Sequence, residues 1–381
     1  MKKRGFWREK IESAWKRKTV IWMMGVRRAG KTSLCKSLES VEYFDFELPS
    51  ARRMARDPEA FLDGLKGKRV VLDEIHRLPN PSELLKIAAD HHPDIKVLAT
   101  GSSTLATTMK FKDSLAGRKA QLWLTPMVQS DLEDFGKTNL DHRFLAGGLP
   151  PFFLQSSPPE AEYQEWLDAY WAKDIEELFR LEKRDSFLRF FELLMAQSGG
   201  IFEATRFARS CEVSRTAIRN YLSALEETLV IHTVRPYTTH KPSEIVSAPK
   251  VYAFDTGFVC CHRGWTRLRP EDKGLLWEHF VLNEIHAHYQ SQRVHYWRDK
   301  RGHEVDFILP RKGSAALAVE CKSSPDDFNP AGLLAFHRQY PDAEAMVVCM
   351  RLARPFAEKY DGLSVRFTTL EGLINAMPVS D

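Results

Sequence analysis

Val20-Ile21-Trp22-Met23-Met24 runs directly into Gly25-Val26-Arg27-Arg28-Ala29-Gly30-Lys31-Thr32, an apolar strand feeding a complete phosphate-binding loop. The spacing has a physical reason at each position. Glycines at the two ends, Gly25 and Gly30, let backbone N–H groups, including those of Arg28 and Ala29, close on phosphate oxygens. Lys31 reaches the outer phosphates and the Thr32 hydroxyl is placed on Mg²⁺. From Ser33 the chain opens a helix whose dipole favours anions. The stretch predicts binding of a nucleoside triphosphate.

A second motif follows about forty residues on. Arg69-Val70-Val71-Leu72-Asp73-Glu74 is an apolar strand ending in two adjacent acids. Asp73 is placed to hold Mg²⁺, directly or through water, and Glu74 to polarise the attacking water. A third strand, Ile95–Thr100, ends in Gly101-Ser102-Ser103, which brings small polar groups to the same sheet edge.

The 381 residues and 43% hydrophobic content suit two or three ordinary domains and exclude a disordered chain. A formal net charge of +4 is too mild to argue for or against nucleic acid. Locally, MKKRGFWREKIESAWKRK concentrates Lys and Arg, with Trp7, Ile11 and Trp15 on one helical face. That helix either packs on the ATPase core with a solvated basic side or touches a nucleic-acid backbone. No run of eighteen apolar residues occurs and charges interrupt the first helix, so a cytoplasmic protein with no membrane span is expected. The cysteines at 35, 211, 260, 261, 321 and 349 lack Cys-x-x-Cys spacing, so neither a zinc knuckle nor a disulfide framework is indicated.

Five segments are expected: a basic amphipathic helix over 1–19, a P-loop domain over 20–154, a linker and helical connector over 155–199, a winged helix over 200–258 and a last domain over 259–381. Within 20–154, strand-like runs at Val20–Met24, Val41–Phe46, Val70–Leu72, Val97–Thr100 and Ala120–Leu124 alternate with helical patterns, as a parallel sheet covered by helices requires. Gln155-Ser156-Ser157-Pro158-Pro159-Glu160 reads as a linker. Later, Thr205–Ser210 and Ser214–Thr228, the second N-capped by Ser214, have helix-turn-helix spacing, and two strands follow. Arg215, Arg219 and Asn220 face outward on the second helix, where they bond phosphates or base edges if the unit enters a DNA groove. Many winged helices instead mediate protein contacts.

Beyond it, His295–Arg298 and Glu304–Leu309 flank Asp299-Lys300-Arg301-Gly302 as a hairpin. The next strand, Ala315–Lys322, sets Glu320 and Lys322 on one face. Asp306, Glu320 and Lys322 form an Asp … Glu-x-Lys set, the chemistry of a metal-dependent phosphodiesterase: carboxylates for Mg²⁺ or Mn²⁺ and a lysine beside the attacking water. Glu278, on the apolar helix Leu275–His286, supplies a further ligand or orients one.

In this order the motifs resemble a large family of bacterial and archaeal ATPases that join an AAA-type core to a winged helix and a C-terminal nuclease-like region. The resemblance rests on GVRRAGKT, VVLDEIHRLP, LATGSS, Ser114-Leu115-Ala116-Gly117-Arg118, Ala146-Gly147-Gly148-Leu149-Pro150 and Lys250–Gly257, while EVDFIL and VECKSS are similar to the PD-(D/E)XK core. It implies an α/β architecture: an AAA-type P-loop NTPase with a parallel sheet, a helical and winged-helix domain, and an α/β restriction-endonuclease-like domain. It further implies that Ser102, with Ser103 and Thr100 as neighbours, senses the γ-phosphate. Arg118 is implied as an arginine finger supplied in trans within a homo-oligomer. His76 stands where relatives often carry Gln. The expected function is an ATP-hydrolysing DNA-binding protein with a Mg²⁺-dependent DNA endonuclease. The rivals are a non-nucleolytic ATPase switch with a nuclease-like binding platform, and an RNA-directed nuclease gated by ATP.

Overall fold

The computed structural model describes residues 2–101, 115–156, 160–176, 179, 181, 183–238, 248–291 and 293–377. Its contacts divide the chain into two compact units, one formed by Met1–Leu140, Gly148–Glu182 and Glu227–Val230, the other by Asp141–Gly147, Lys183–Glu226 and Ile231–Asp381.

In the first unit, strands β1 (Val20–Met24), β2 (Glu42–Asp45), β3 (Arg69–Asp73), β4 (Lys96–Thr100) and β5 (Lys119–Trp123) pair in parallel in the order β2-β3-β4-β1-β5. All five expected strands are present, within a residue or two of their predicted bounds. Near-continuous apolar runs form the three inner strands, with Val20, Ile21, Trp22 and Met23 wholly buried, while the edge strands β2 and β5 are more polar and only partly buried. Helix α1 (Gly5–Arg17) buries Trp7, Ile11 and Trp15, and the Trp15 indole donates to the Val97 carbonyl at 3.1 Å. The every-fourth-residue apolar stripe is thus a packing face, with Lys16 and Arg17 on the exposed side.

The second unit carries a nine-stranded mixed sheet, in the order β13-β14-β12-β11-β10-β9-β7-β8-β6. Its strands are β6 (Gly200–Ile201), β7 (Ile231–Pro236), β8 (Lys250–Ala253), β9 (His295–Arg298), β10 (Glu304–Arg311), β11 (Ser314–Lys322), β12 (Glu344–Cys349), β13 (Phe356–Tyr360) and β14 (Leu363–Thr368). Two further helices precede β7. These are α2 (Ala204–Ser210) and α3 (Arg215–Glu227), joined through Glu212 at φ +55°. The Ser214 hydroxyl accepts the Ala217 N–H at 3.1 Å, the N-cap expected from sequence. Ile218, Tyr221, Ala224 and Leu225 bury one face of α3, leaving Arg215, Arg219 and Asn220 exposed on the other.

The contacts divide the chain differently from the five expected segments. Residues on both sides of the Pro-rich stretch belong to the first unit. Segments 200–258 and 259–381 share one sheet, since β7 pairs in parallel with β9, Arg235 opposite His295. All six cysteines are free, five of them buried. Among the described residues no helix is long and apolar enough to cross a membrane.

Buried histidines make the second unit acid-sensitive. Burial pushes both His279 and His286 down to about 4. His279 sits between the Leu275 carbonyl on Nδ1 (2.7 Å) and the Ser198 hydroxyl on Nε2 (2.6 Å), an arrangement met by the neutral ring with its proton on Nδ1. The unfolded chain takes up protons below about 6.5 and the folded one does not, so stability is full above that value and is lost as pH falls toward 4. Urea unfolding at pH 7.5, 6 and 5 should show stability level above pH 7. Below pH 6.5 it should fall by up to about 1.4 kcal/mol per pH unit for each histidine; stability rising on acidification would contradict this.

Candidate functional site

The loop after β1 is shaped by positions where ordinary side chains do not fit. A Cβ on Gly25 would lie 2.4 Å from the Leu124 carbonyl oxygen, because β5 runs alongside. Gly30 adopts φ +97° and Arg28 φ +63°, both left-handed. The short helix Lys31–Lys36 starts there, and the Leu34 N–H donates to the Gly30 carbonyl at 2.9 Å. Lys31 Nζ donates to the carbonyls of Gly25 (2.8 Å) and Val26 (3.2 Å). Burial pulls the Lys31 ammonium below its ordinary range, against the opposing charges of Glu74 and Asp174.

Strand order brings the acids to this loop. β4 lies between β1 and β3, so the end of β4 sits beside the end of β3. There the Thr100 hydroxyl donates to Asp73 Oδ1 and accepts the Glu74 N–H at 3.1 Å, while the Tyr43 hydroxyl from β2 donates to Asp73 Oδ2 at 2.5 Å. Asp73 is 2% exposed. Glu74 turns away from the strand at φ +54° and pairs with His76 Nδ1 at 3.1 Å. Burial raises the Glu74 carboxyl, but the His76 hydrogen bond and the Lys31 charge outweigh it and leave it below its ordinary value. It is therefore ionised at neutral pH, as a base must be.

A cavity of about 840 Å³ is lined by Gly25, Arg28, Gly30, Lys31, Thr32, Ser33 and Glu74 together with Arg4, Tyr170 and Asp174. Ala29 is wholly buried behind the loop. Asp174, from the π-helical turn Trp171–Glu176, accepts from Arg27 Nε and Nη2 at 3.0 and 2.9 Å, and Arg28 pairs with Glu165 at 2.6 Å. Ser102 and Ser103 lie outside the described residues. Arg118 precedes β5, opposite the start of β1 rather than its end, so it stands at the sheet edge away from the loop, about 13 Å along the strands. It pairs with Asp90 at 2.6 Å.

In the second unit, β10 and β11 bring the expected trio together. The register that pairs Phe307 with Val319 sets Asp306 beside Glu320. Asp306 Oδ2 accepts the Cys321 N–H at 2.8 Å, and Lys322 Nζ lies 2.6 Å from Glu320 Oε2 and 3.8 Å from Asp306 Oδ2. Burial and the Asp306 charge raise the Glu320 carboxyl, with Lys322 opposing them. Two carboxylates on hard oxygen chemistry fit Mg²⁺. Glu278, on the helix Pro270–Tyr289, accepts from the Tyr252 hydroxyl and lies 3.6 Å from Lys250 Nζ, which also pairs with Glu304, and its charge adds to that of Asp306 in raising Glu320. Among the described residues no three His, Cys, Asp or Glu side chains are grouped to hold a metal ion.

Sequence reading missed Arg4, Tyr43, Asp131 and Asp174 around the loop, and Lys250 and Tyr252 near Glu278. Lys250 and Tyr252 do alternate on one strand, but the signal becomes specific only once β8 is seen beside the helix that carries Glu278.

Replacing Gly25 with Ala forces a Cβ onto the Leu124 carbonyl, so Gly25→Ala should lower stability by about 1–3 kcal/mol and weaken binding of a fluorescent ATP analogue at least tenfold. Unchanged binding in titrations would mean the loop has room the structure does not give it.

Residues 17–133 match the family described as AAA domain, while 137–269 and 273–365 match two families described as domains of unknown function, DUF8612 and DUF4143. The uncharacterized proteins Rv2008c of Mycobacterium tuberculosis and Mb2031c of Mycobacterium bovis are each 29% identical over 316 residues, covering 80% of this chain and 70% of theirs. Among solved structures, the Walker-type ATPase PABY2304 of Pyrococcus abyssi is similar with a TM-score of 0.45 and 16% identity, over 69% of this chain and 96% of that one. The match to the AAA domain family covers β1 through β5, the loop and the acidic pair, and it supports an AAA-type P-loop ATPase fold for this part of the chain.

Proposed function

We propose that the chain is an ATP-hydrolysing protein whose second unit binds DNA and cleaves its phosphodiester backbone. The observation that carries the ATPase part is the meeting of Lys31, Thr32 and Glu74 on one cavity, with Asp73 fixed beside it by Thr100 and Tyr43. Lys31 and the loop N–H groups bind and orient the phosphates. Glu74, ionised and steered by His76, takes the proton of the attacking water. Thr32 and Asp73 would hold Mg²⁺ here, and Asp306 and Glu320 would hold it in the second unit, where it supplies charge neutralisation on phosphate oxygens. Arg118, distant from its own loop, serves a neighbouring copy as an arginine finger in a homo-oligomer.

DNA engagement is supported by α2, α3 and the β7–β8 pair, arranged as in a winged helix, with Arg215, Arg219 and Asn220 exposed on α3. A helix of this kind fits the major groove of DNA, whereas duplex RNA hides its own. Lys322, between Asp306 and Glu320, would orient the attacking water at the second site. A second reading, a non-nucleolytic switch, is favoured by one observation: each acid of that site already has a basic or hydroxyl partner, Asp306 and Glu320 in Lys322 and Glu278 in Lys250 and Tyr252.

Labelled duplex, single-stranded and branched DNA, with RNA alongside, should be incubated with the purified protein and Mg²⁺, with and without ATP. Lys31→Ala should lose ATP turnover. Asp306→Ala should lose cleavage and keep turnover. Cleavage persisting in Asp306→Ala would remove the nuclease assignment. Turnover by the wild type without any cleavage would establish the switch instead.

A further inference from the structure

The loop carbonyls are held from outside the loop, and one of the holders comes from the segment ahead of α1. Arg4 is 4% exposed, although it belongs to the most basic stretch of the chain. Its Nε and Nη2 donate to Asp131 Oδ1 and Oδ2 at 2.8 and 2.6 Å, a bidentate pair with a carboxylate that is wholly buried. The remaining nitrogen, Nη1, donates to the Ala29 carbonyl at 2.9 Å. Asp131 is itself fixed by the Trp7 indole and the Val128 N–H, both at 3.1 Å, so the guanidinium is anchored at one end and grips the loop with the other.

The gripped peptide is the one that sterics leave least determined. Gly30 sits at φ +97°, and glycine accepts φ of either sign, so rotation of the Ala29–Gly30 peptide meets little resistance from Gly30 itself. In a planar trans peptide the Ala29 C=O and the Gly30 N–H point in opposite directions. Whatever fixes that carbonyl therefore fixes that N–H. We propose that Arg4 is a positioning residue of the nucleotide site, selecting the orientation of the Ala29–Gly30 peptide in which the Gly30 N–H is presented to phosphate. The segment ahead of α1 is then part of the ATP-binding machinery, and Asp131 acts through Arg4. The Trp166 indole, bonded to the Arg27 carbonyl at 3.0 Å, restrains the other half of the loop but leaves the Gly30 peptide free to turn.

The proposal rests on the reading of this cavity as an ATP site, and the test separates the two. Affinity for a fluorescent ATP analogue with Mg²⁺ and nucleotide-free melting are measured on the full chain for wild type, Arg4→Lys, Trp15→Phe and the double variant Arg4→Met with Asp131→Leu. The double variant removes both halves of a buried ion pair, a change that other proteins tolerate without loss of stability, so it stays folded where a single change strands a charge. Arg4→Lys and the double variant should both bind the analogue roughly ten- to a hundredfold more weakly, the scale of one lost charge-assisted hydrogen bond. Trp15→Phe, which loses its bond to the Val97 carbonyl but none to Asp131 or the loop, should melt earlier and bind as wild type does. Wild-type affinity in the double variant, or affinity that merely follows melting temperature across the set, would overturn the role of Arg4. No binding by the wild type would remove the nucleotide reading and this proposal with it.

Discussion

A parallel sheet delivers every strand end to one edge, and the chemistry of the first unit follows from which ends become neighbours there. With β4 inserted between β1 and β3, the Asp73 carboxylate meets a hydroxyl from β4 and another from β2 before it meets solvent. A buried carboxylate is costly unless hydrogen-bonded, and the two hydroxyls meet that cost. The same geometry explains why Arg118, at the opposite edge, has no route to its own loop.

The second unit solves a similar problem with charges rather than hydroxyls. Lys250, Glu278, Glu304 and Tyr252 form one hydrogen-bonded and ion-paired network and Asp306, Glu320 and Lys322 another, and the charges of Asp306 and Glu278 couple the two. Each acid is buried enough to need a partner. Breaking a buried pair by removing one member strands the other, so both networks resist piecemeal change whichever chemistry they perform. Lys250 and Tyr252 come from β8 and Glu278 from a distant helix, so the region matched by one family contributes side chains to the site lying in the next.

Much of this was legible in the sequence because its signals are local. The five strands of the first sheet, the Gly25–Thr32 loop, the Asp73-Glu74 pair, the Ser214 cap and the Glu320/Lys322 face each depend on spacing within a few residues. Arg4 and Asp131 are 127 positions apart and neither carries a motif, so their pairing emerges only when α1 and the helix Gln129–Phe135 are packed together. The basic stretch around Arg4 instead suggested a solvated or nucleic-acid-facing surface, and this one arginine points inward. Strand order is likewise invisible in a pattern of apolar runs. That is why the β7–β9 pairing, which joins two expected segments into one sheet, was not foreseen, and why Tyr43 could not be placed beside Asp73.

If one sheet edge both binds and hydrolyses ATP, with binding by the loop and proton transfer by the residue after β3, the two activities separate at Glu74. Wild type and Glu74→Gln are compared in two assays on the same preparations, Mg²⁺-dependent binding of ATP and steady-state phosphate release. Glu74→Gln should bind ATP as tightly as wild type and release phosphate at least a hundredfold more slowly, within the range expected for loss of a positioned base. Equal phosphate release by the two proteins would show that hydrolysis does not depend on Glu74.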